Sequence, residues 1–168
     1  MEASEGFPPI ASADACVLVL GSLPGKKSLV AQQYYAHPQN AFWSIMIEIF
    51  AVRGNYADRC RGLMDNRVAL WDVLQASVRP GSLDADIRVD TAVANDFRAF
   101  LAKYPGIERI AFNGKKAEAL FMRMVPHDLH AHLKLIGLPS TSPAYAAMSY
   151  SGKLSAWRTG LQTNQTAR

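Results

Sequence analysis

The chain predicts an α/β protein of three layers (α/β/α), with helices on both faces of a central four-stranded parallel sheet. Two observations carry this. Short, near-continuous apolar runs recur along the sequence, the pattern of strands buried on both faces. Between them lie stretches whose apolar residues repeat at helical spacing, the pattern of helices with one buried side. At 168 residues and 49% hydrophobic, the chain can bury one proper core. A single domain over residues 15–162 is expected, with an N-terminal segment 1–14 and a C-terminal tail 163–168.

Residues 15–20 (ACVLVL) form the first strand. From Ala41, the residues Phe42, Ile45, Met46 and Ile49 mark an amphipathic helix. Residues 67–73 read as the second strand. Asp90 is placed to cap a helix through about Lys103, with Val93, Phe97, Phe100 and Leu101 inward and Pro105-Gly106 as the stop. A third strand over 109–112, a helix over 115–124, a fourth strand over 133–138 and a last helix from about Gly152 to Gln162 complete the pattern.

Composition excludes several classes. No apolar run approaches the ~20 residues that cross a bilayer, so no membrane partner is expected. The N-terminus is acidic and polar, unlike a secretory signal or a basic transit peptide. Cys16, in an apolar strand, and Cys60, in a helical stretch, form no CxxC pair and read as reduced thiols, which points to the cytoplasm, and to the nucleoid if the source is bacterial. The net charge of +4 permits an anionic partner without demanding one.

In an open parallel sheet the loops after the strands gather at one carboxyl edge, where ligands bind. Here those loops are residues 21–28, 72–77, 113–116 and 139–145, and the first leads into an aromatic segment, residues 34–43. Gly21 and Gly25 bracket Pro24 ahead of Lys26-Lys27-Ser28, but three residues between the glycines and a second Lys break the phosphate-loop pattern. His127, His130 and His132 beside Asp128 lack further ligands nearby and read as a polar connector, so no metal is expected. No Ser stands in a G-x-S-x-G elbow.

In order and spacing, GSLPG (21–25), YYAHPQNAFW (34–43), AFNGKKA (111–117) and LPSTSPAYAAMS (138–149) resemble the uracil-DNA glycosylase superfamily, over about residues 15–160. The match is closest to its hypoxanthine (deoxyinosine) branch, then to the mismatch-specific uracil/thymine enzymes. The resemblance implies a three-layer fold and a monofunctional enzyme that flips a damaged base from DNA and hydrolyses its N-glycosidic bond in base excision repair. It implies no metal and no cofactor. It also carries roles to residues. Where mismatch-specific relatives hold the water with an Asn after strand one, this chain has Leu23, which can hold none; the hypoxanthine branch implies Asn40 instead. As a sequence feature alone, Asn40 equally suits a helix N-cap.

Phe42 is a candidate base stacker, though the face it shares with Ile45 and Ile49 equally suits the core; Tyr35 is the alternative stacker. Asn113, with Gly21 and Ser22, is a candidate for the base pocket, against a turn-forming role for Asn113. Ser140, Thr141 and Ser142 correspond to a phosphate-gripping motif, with Tyr145 as the candidate intercalating residue. Leu138-Pro139 replaces that motif's leading His. Lys115, Lys116, Lys153 and Arg158 are candidate phosphate contacts, or solvated surface charges. Asp72 is placed to orient loops or substrate. The expected partner is DNA bearing a damaged or mismatched base, bound by a monomer. A uracil or mismatch glycosylase, a non-catalytic nucleic-acid binder and a free-nucleotide-binding α/β protein are the competing readings.

Overall fold

Four strands, Val17–Gly21 (β1), Val68–Asp72 (β2), Arg109–Asn113 (β3) and Lys134–Leu138 (β4), make one parallel sheet in the order β2-β1-β3-β4. This is seen in a computed structural model that describes residues 2–162; the expected tail 163–168 lies outside the described residues. Every residue of β1, β2 and β3 is buried, which is why these strands read as near-continuous apolar runs with polar residues only at their ends. The edge strand β4 is more exposed and carries Lys134, a charge that discourages pairing with another chain. The register sets Gly21 beside Asp72 and Asn113 beside Leu138, so the strand ends line up along one edge.

Alternate side chains of each strand enter opposite cores. Leu18, Leu20, Ile110 and Phe112 face a cluster with Phe97 and Phe100 of helix Phe97–Lys103 and Leu120 and Phe121 of helix Lys115–Met124. Val17, Val19, Leu70 and Ala111 face the other cluster, built from helices Phe42–Phe50, Tyr56–Asp65 and Tyr150–Gln162. With Lys26–Ala31, these six helices are α1 (Lys26–Ala31), α2 (Phe42–Phe50), α3 (Tyr56–Asp65), α4 (Phe97–Lys103), α5 (Lys115–Met124) and α6 (Tyr150–Gln162). The α/β/α expectation is met. Among the described residues no helix is long and apolar enough to cross a membrane.

Three features depart from the sequence expectation. Helix α3 contains the helical stretch expected at Cys60 but has bounds that the sequence did not show, started by a capping box in which Asn55 and Asp58 bond each other's backbone N–H. Residues 2–14 are not detached: Ser4–Glu5 pairs with Leu74–Ser77, which also pairs with Val93–Ala94, and Ile10 bridges to Leu70. The third departure is the start of α4. Asp90 does not cap it; the helix begins at Phe97, and the Asp96 carboxylate accepts the Ala99 N–H at 3.0 Å. Val93 pairs with Ala76 and the Asn95 N–H donates to the Val73 carbonyl, so the intervening chain is held extended.

Asp96→Ala should therefore cost about 0.5–2 kcal/mol of stability in a melting experiment. Asp90→Ala, which loses only an exposed contact to Arg88, should stay within about 0.5 kcal/mol of the parent.

Candidate active site

The turn that leaves β1 is fastened by its neighbours. The Val73 and Leu74 N–H groups donate to the Gly21 and Ser22 carbonyls at 2.8 and 3.1 Å. Beyond them the Leu23 and Pro24 carbonyls have no strand to pair with, and the Arg79 guanidinium donates to both. Its side chain is only 2% exposed, with the Asp84 carboxylate 3.8 Å away as counter-charge. Asp84 also accepts the Ser22 hydroxyl, so Ser22, a candidate for the base pocket, has its donor engaged. Burial lowers the Arg79 pKa, and Asp84, Asp72 and Asp86 oppose that shift. Arg79 and Asp84 were not foreseen. Their partners are a turn's carbonyls and hydroxyl, which no spacing announces; an Arg between Val78 and Pro80 is a weak sign of a buried one.

The aromatic segment is equally constrained at Tyr34. Its N–H donates to the Tyr56 hydroxyl, its hydroxyl to the Pro8 carbonyl, and its carbonyl accepts the Trp43 indole N–H. The Asn40 carbonyl oxygen accepts the Phe42 N–H at 3.0 Å. Helix α2 starts at Phe42 with Ala41 at the cap position, so Asn40 closes an Asx turn one residue earlier than expected. An amide oxygen has two lone pairs, and this bond uses one. Asn40 is half-buried, and its amide nitrogen makes no hydrogen bond among the described residues. Phe42 is fully buried, so it offers no open face in this structure; the Tyr35 ring covers it at 4.2 Å and 31°.

Thr141 joins the remaining loops. Asn113 donates from its amide to the Thr141 hydroxyl and accepts the Thr141 N–H, both at 2.9 Å. The Thr141 carbonyl accepts the Ala41 N–H at 3.0 Å. Both ends of the Asn113 amide are thus engaged by Thr141, and Thr141 is 1% exposed. What these two residues do here is position loops. Ser140 and Ser142 hydroxyls accept backbone N–H groups of their own turn, which leaves each O–H free to donate. Gly114, at φ +94°, allows Ser140 to approach; an added Cβ would sit 3.1 Å from the Ser140 Cβ. The Lys153 ammonium donates to the Ser142 carbonyl and lies 5.3 Å from the Tyr145 ring, with its pKa lowered by burial. It braces the loop from inside. Lys115 is exposed and Lys116 half-buried at the start of α5, on the same edge.

Behind this frame sits a pocket of unmet polarity. The Tyr35 hydroxyl and one Asp72 carboxylate oxygen are buried with no hydrogen-bond partner. The Tyr35 hydroxyl and the other Asp72 oxygen, Oδ1, converge on Gly21: a Cβ there would lie 2.8 and 2.6 Å from them. Burial, then the nearby Asp84 charge, pushes the Asp72 carboxyl up to about 7 against the pull of Arg79. Burial and Asp72 raise the Tyr35 phenol as well, with the Asn113 amide opposing. Each orphaned buried group costs on the order of 1–3 kcal/mol. Tyr35 also holds φ +54°, an uncommon backbone state for an aromatic residue. Two open hollows lie elsewhere, by Trp71, Phe100 and Tyr104 and by Phe7, Tyr34 and Cys60. At the strand ends the space is filled by Tyr35.

Among the described residues no group of three or more His, Cys, Asp or Glu is placed to hold a metal. His130 packs its ring 5.0 Å from Phe121, and His127 lies 5.3 Å from it.

The Asp72 carboxyl gives a stability prediction with a definite sign. Its folded value near 7 exceeds the unfolded ~3.9, so the folded state keeps the proton longer. Stability from this group is greatest below about pH 4 and falls as pH rises toward 7. Asp72→Asn should therefore raise the melting temperature clearly at about pH 8 and little at about pH 4.5.

The Uracil DNA glycosylase superfamily profile matches residues 8–161. A hypoxanthine DNA glycosylase of Methanosarcina barkeri is 37% identical over 116 residues, covering 67% of this chain and 72% of the relative. That of Methanosarcina acetivorans is 37% identical over 117 residues, with the same shares covered. A solution NMR structure from Methanosarcina acetivorans, provisionally described as a uracil DNA glycosylase, superposes with a TM-score of 0.74 at 31% identity, over 94% of this chain and 98% of that one. Sequence, fold and strand-end loops agree: the chain belongs to the uracil DNA glycosylase superfamily and is a DNA glycosylase.

Proposed function

We propose that this glycosylase excises hypoxanthine from DNA, with Asn40 aligning the attacking water. The observation that carries the reading is the state of Asn40. It is fixed in place by its bond to the Phe42 N–H, yet keeps a lone pair and its amide N–H groups unused at the cleft. The 37% identity to hypoxanthine DNA glycosylases supports the choice of base.

In this reaction the C1′–N9 bond breaks and its electron pair leaves with the base. A water oxygen bonds to C1′, and the water's proton balances the charge of the departing base. Positive charge grows on the sugar and negative charge on the base, so fixed dipoles in a closed site lower the barrier. The Asn40 carbonyl holds one water O–H and directs the oxygen toward C1′. Leu23, apolar and 6% exposed, cannot share that task. Tyr35, whose ring covers the buried Phe42, would stack on the base, and Ser140, Ser142, Lys115 and Lys116 would contact the phosphate backbone. Tyr145, 37% exposed, would enter the gap left by the base. The enzyme acts as a monomer. Extrusion from the duplex costs a few kcal/mol, least at a mispaired base.

Labelled duplexes bearing hypoxanthine, uracil, a thymine mismatch or xanthine, scored for abasic sites, test the base; preference for uracil would overturn the hypoxanthine reading. Asn40→Ala should slow single-turnover excision ~10²-fold or more with little change in DNA affinity. Asn40→Asp, which preserves the Asx turn, should stay folded and still change the rate. A wild-type rate for folded Asn40→Ala would remove Asn40 from the chemistry.

Binding should be electrostatic and modest. With three to five phosphates neutralised, the log–log salt slope should be about −3 to −4. Lys115→Ala or Lys116→Ala should each reduce it by about 1. A salt-independent affinity would contradict this interface.

A further inference from the structure

Lysine is rarely buried, and at Lys153 the usual supports of a charge are missing. The residue is 6% exposed, and among the described residues no carboxylate pairs with it. It is the fourth residue of α6, near the helix end where a positive charge is disfavoured, and the first turn holds no acidic residue to offset it. A Met or Leu at this position would avoid all three costs. What the ammonium gives in return is visible in its contacts.

Those contacts fall on one turn. The chain reverses over residues 142–145, where the Tyr145 N–H donates to the Ser142 carbonyl at 3.1 Å and Pro143 brings a φ already suited to a turn. The Lys153 ammonium donates to the same carbonyl, also at 3.1 Å, and so engages its second lone pair. It also lies 5.3 Å from the centre of the Tyr145 ring. One cation thus holds the first residue of the turn by its backbone and the last by its side chain. Four residues on, on the same face of α6, the Trp157 indole donates to the Pro139 carbonyl at 2.9 Å. Trp157 fastens the stem of the loop and Lys153 its tip. The tip has little else to hold it. Residues 143–147 are all exposed, and among the described residues the Tyr145 hydroxyl makes no hydrogen bond and no second ring meets its own.

We propose that Lys153 is a positioning residue for base extrusion, presetting the turn 142–145 so that Tyr145 is held in one orientation before DNA arrives. The inference rests on the base-excision reading above, in which Tyr145 enters the gap left by the base. Lys153 touches neither base nor sugar. It lowers the ordering cost of inserting Tyr145, as preorganisation lowers the cost of docking generally. Its influence should grow with the work of opening the duplex and be absent from bond cleavage.

The test reads extrusion and excision separately, on hypoxanthine, or on uracil if the wild type prefers it. Extrusion is followed by stopped-flow fluorescence of 2-aminopurine beside the damaged base. The sugar of that base is 2′-fluorinated, which disfavours positive charge at C1′ and keeps the base attached. Excision is measured in single turnovers with the base opposite a normal nucleotide and opposite an abasic analogue, where no pair has to be broken. Lys153→Met keeps the unbranched stem and removes the cation. It should reduce the fluorescence change, in rate or amplitude, ~10-fold, and excision of the paired base by a similar factor, against less than ~2-fold opposite the abasic analogue. Lys153→Arg, which keeps a cation and a donor, should restore most of the loss. A merely structural Lys153 predicts equal losses on both duplexes and a full fluorescence change per folded enzyme; that outcome, or no loss at all, overturns the proposal. So does a salt slope lowered by about 1 in Lys153→Met, the mark of a phosphate contact. If Lys153→Met does not fold, Lys153→Gln can still donate to the Ser142 carbonyl but sets no cation by the ring, and the same comparison decides. In the Tyr145→Ala background the loss caused by Lys153→Met should disappear, and its persistence would contradict the assignment. If Tyr145→Ala extrudes the base as the wild type does, the proposal falls while the base-excision reading stands. A wild type inert on every duplex fails that reading itself, and the proposal with it.

Discussion

Thr141 is the point on which the site depends. Through its hydroxyl, N–H and carbonyl it binds Asn113 at the end of β3 and Ala41 at the start of α2, and so fixes three loops to one another. All three groups are buried, where bonds are stronger and their loss more costly than in water. The Trp157 indole donates to the Pro139 carbonyl two residues earlier, so α6 anchors the same loop to the core. Asn40 therefore sits beside a fixed frame, which the proposed alignment of a water requires.

The same frame confines polarity that it does not satisfy. Arg79 resolves the orphan carbonyls of the β1 turn, and Asp84 compensates Arg79 and receives Ser22. Asp72 is left over. A core selected for stability alone would replace it, since a buried carboxyl without a donor lowers stability at neutral pH. Tyr35 adds an unpaired phenol and a left-handed backbone. Such costs gathered at the carboxyl edge of a parallel sheet, and absent from the two apolar cores, are where an enzyme gives up stability for recognition.

The sequence showed the scaffold well because burial on both faces writes β1, β2 and β3 as near-continuous apolar runs. Helix α5 kept its predicted bounds for a similar reason: Ala117, Leu120 and Phe121 repeat at helical spacing after Gly114. The bounds of helix α3 were hidden because its buried Cys60 and Leu63 are diluted by charged residues, and the start of α4 because Val93 is recruited into a small antiparallel sheet. At the site, four motifs in order located the cleft, but not how its residues are divided. Asn113 meets Thr141 28 residues away, which local turn chemistry could not foresee. Phe42, Asn113 and Thr141 were read as ligand contacts, whereas burial makes them supports. Arg79 and the Asp72–Tyr35 pair required the register that sets Gly21 beside Asp72.

These divisions explain how a site with few charges can perform the reaction. The charge that develops on sugar and base is transient, and dipoles already held by Thr141 and the β1 turn need no reorganisation to meet it. An exposed carboxylate near that centre would be hydrated and would hold water against the base. Buried behind Tyr35, Asp72 is kept from that hydration, so the strand ends stay dry where the charge develops.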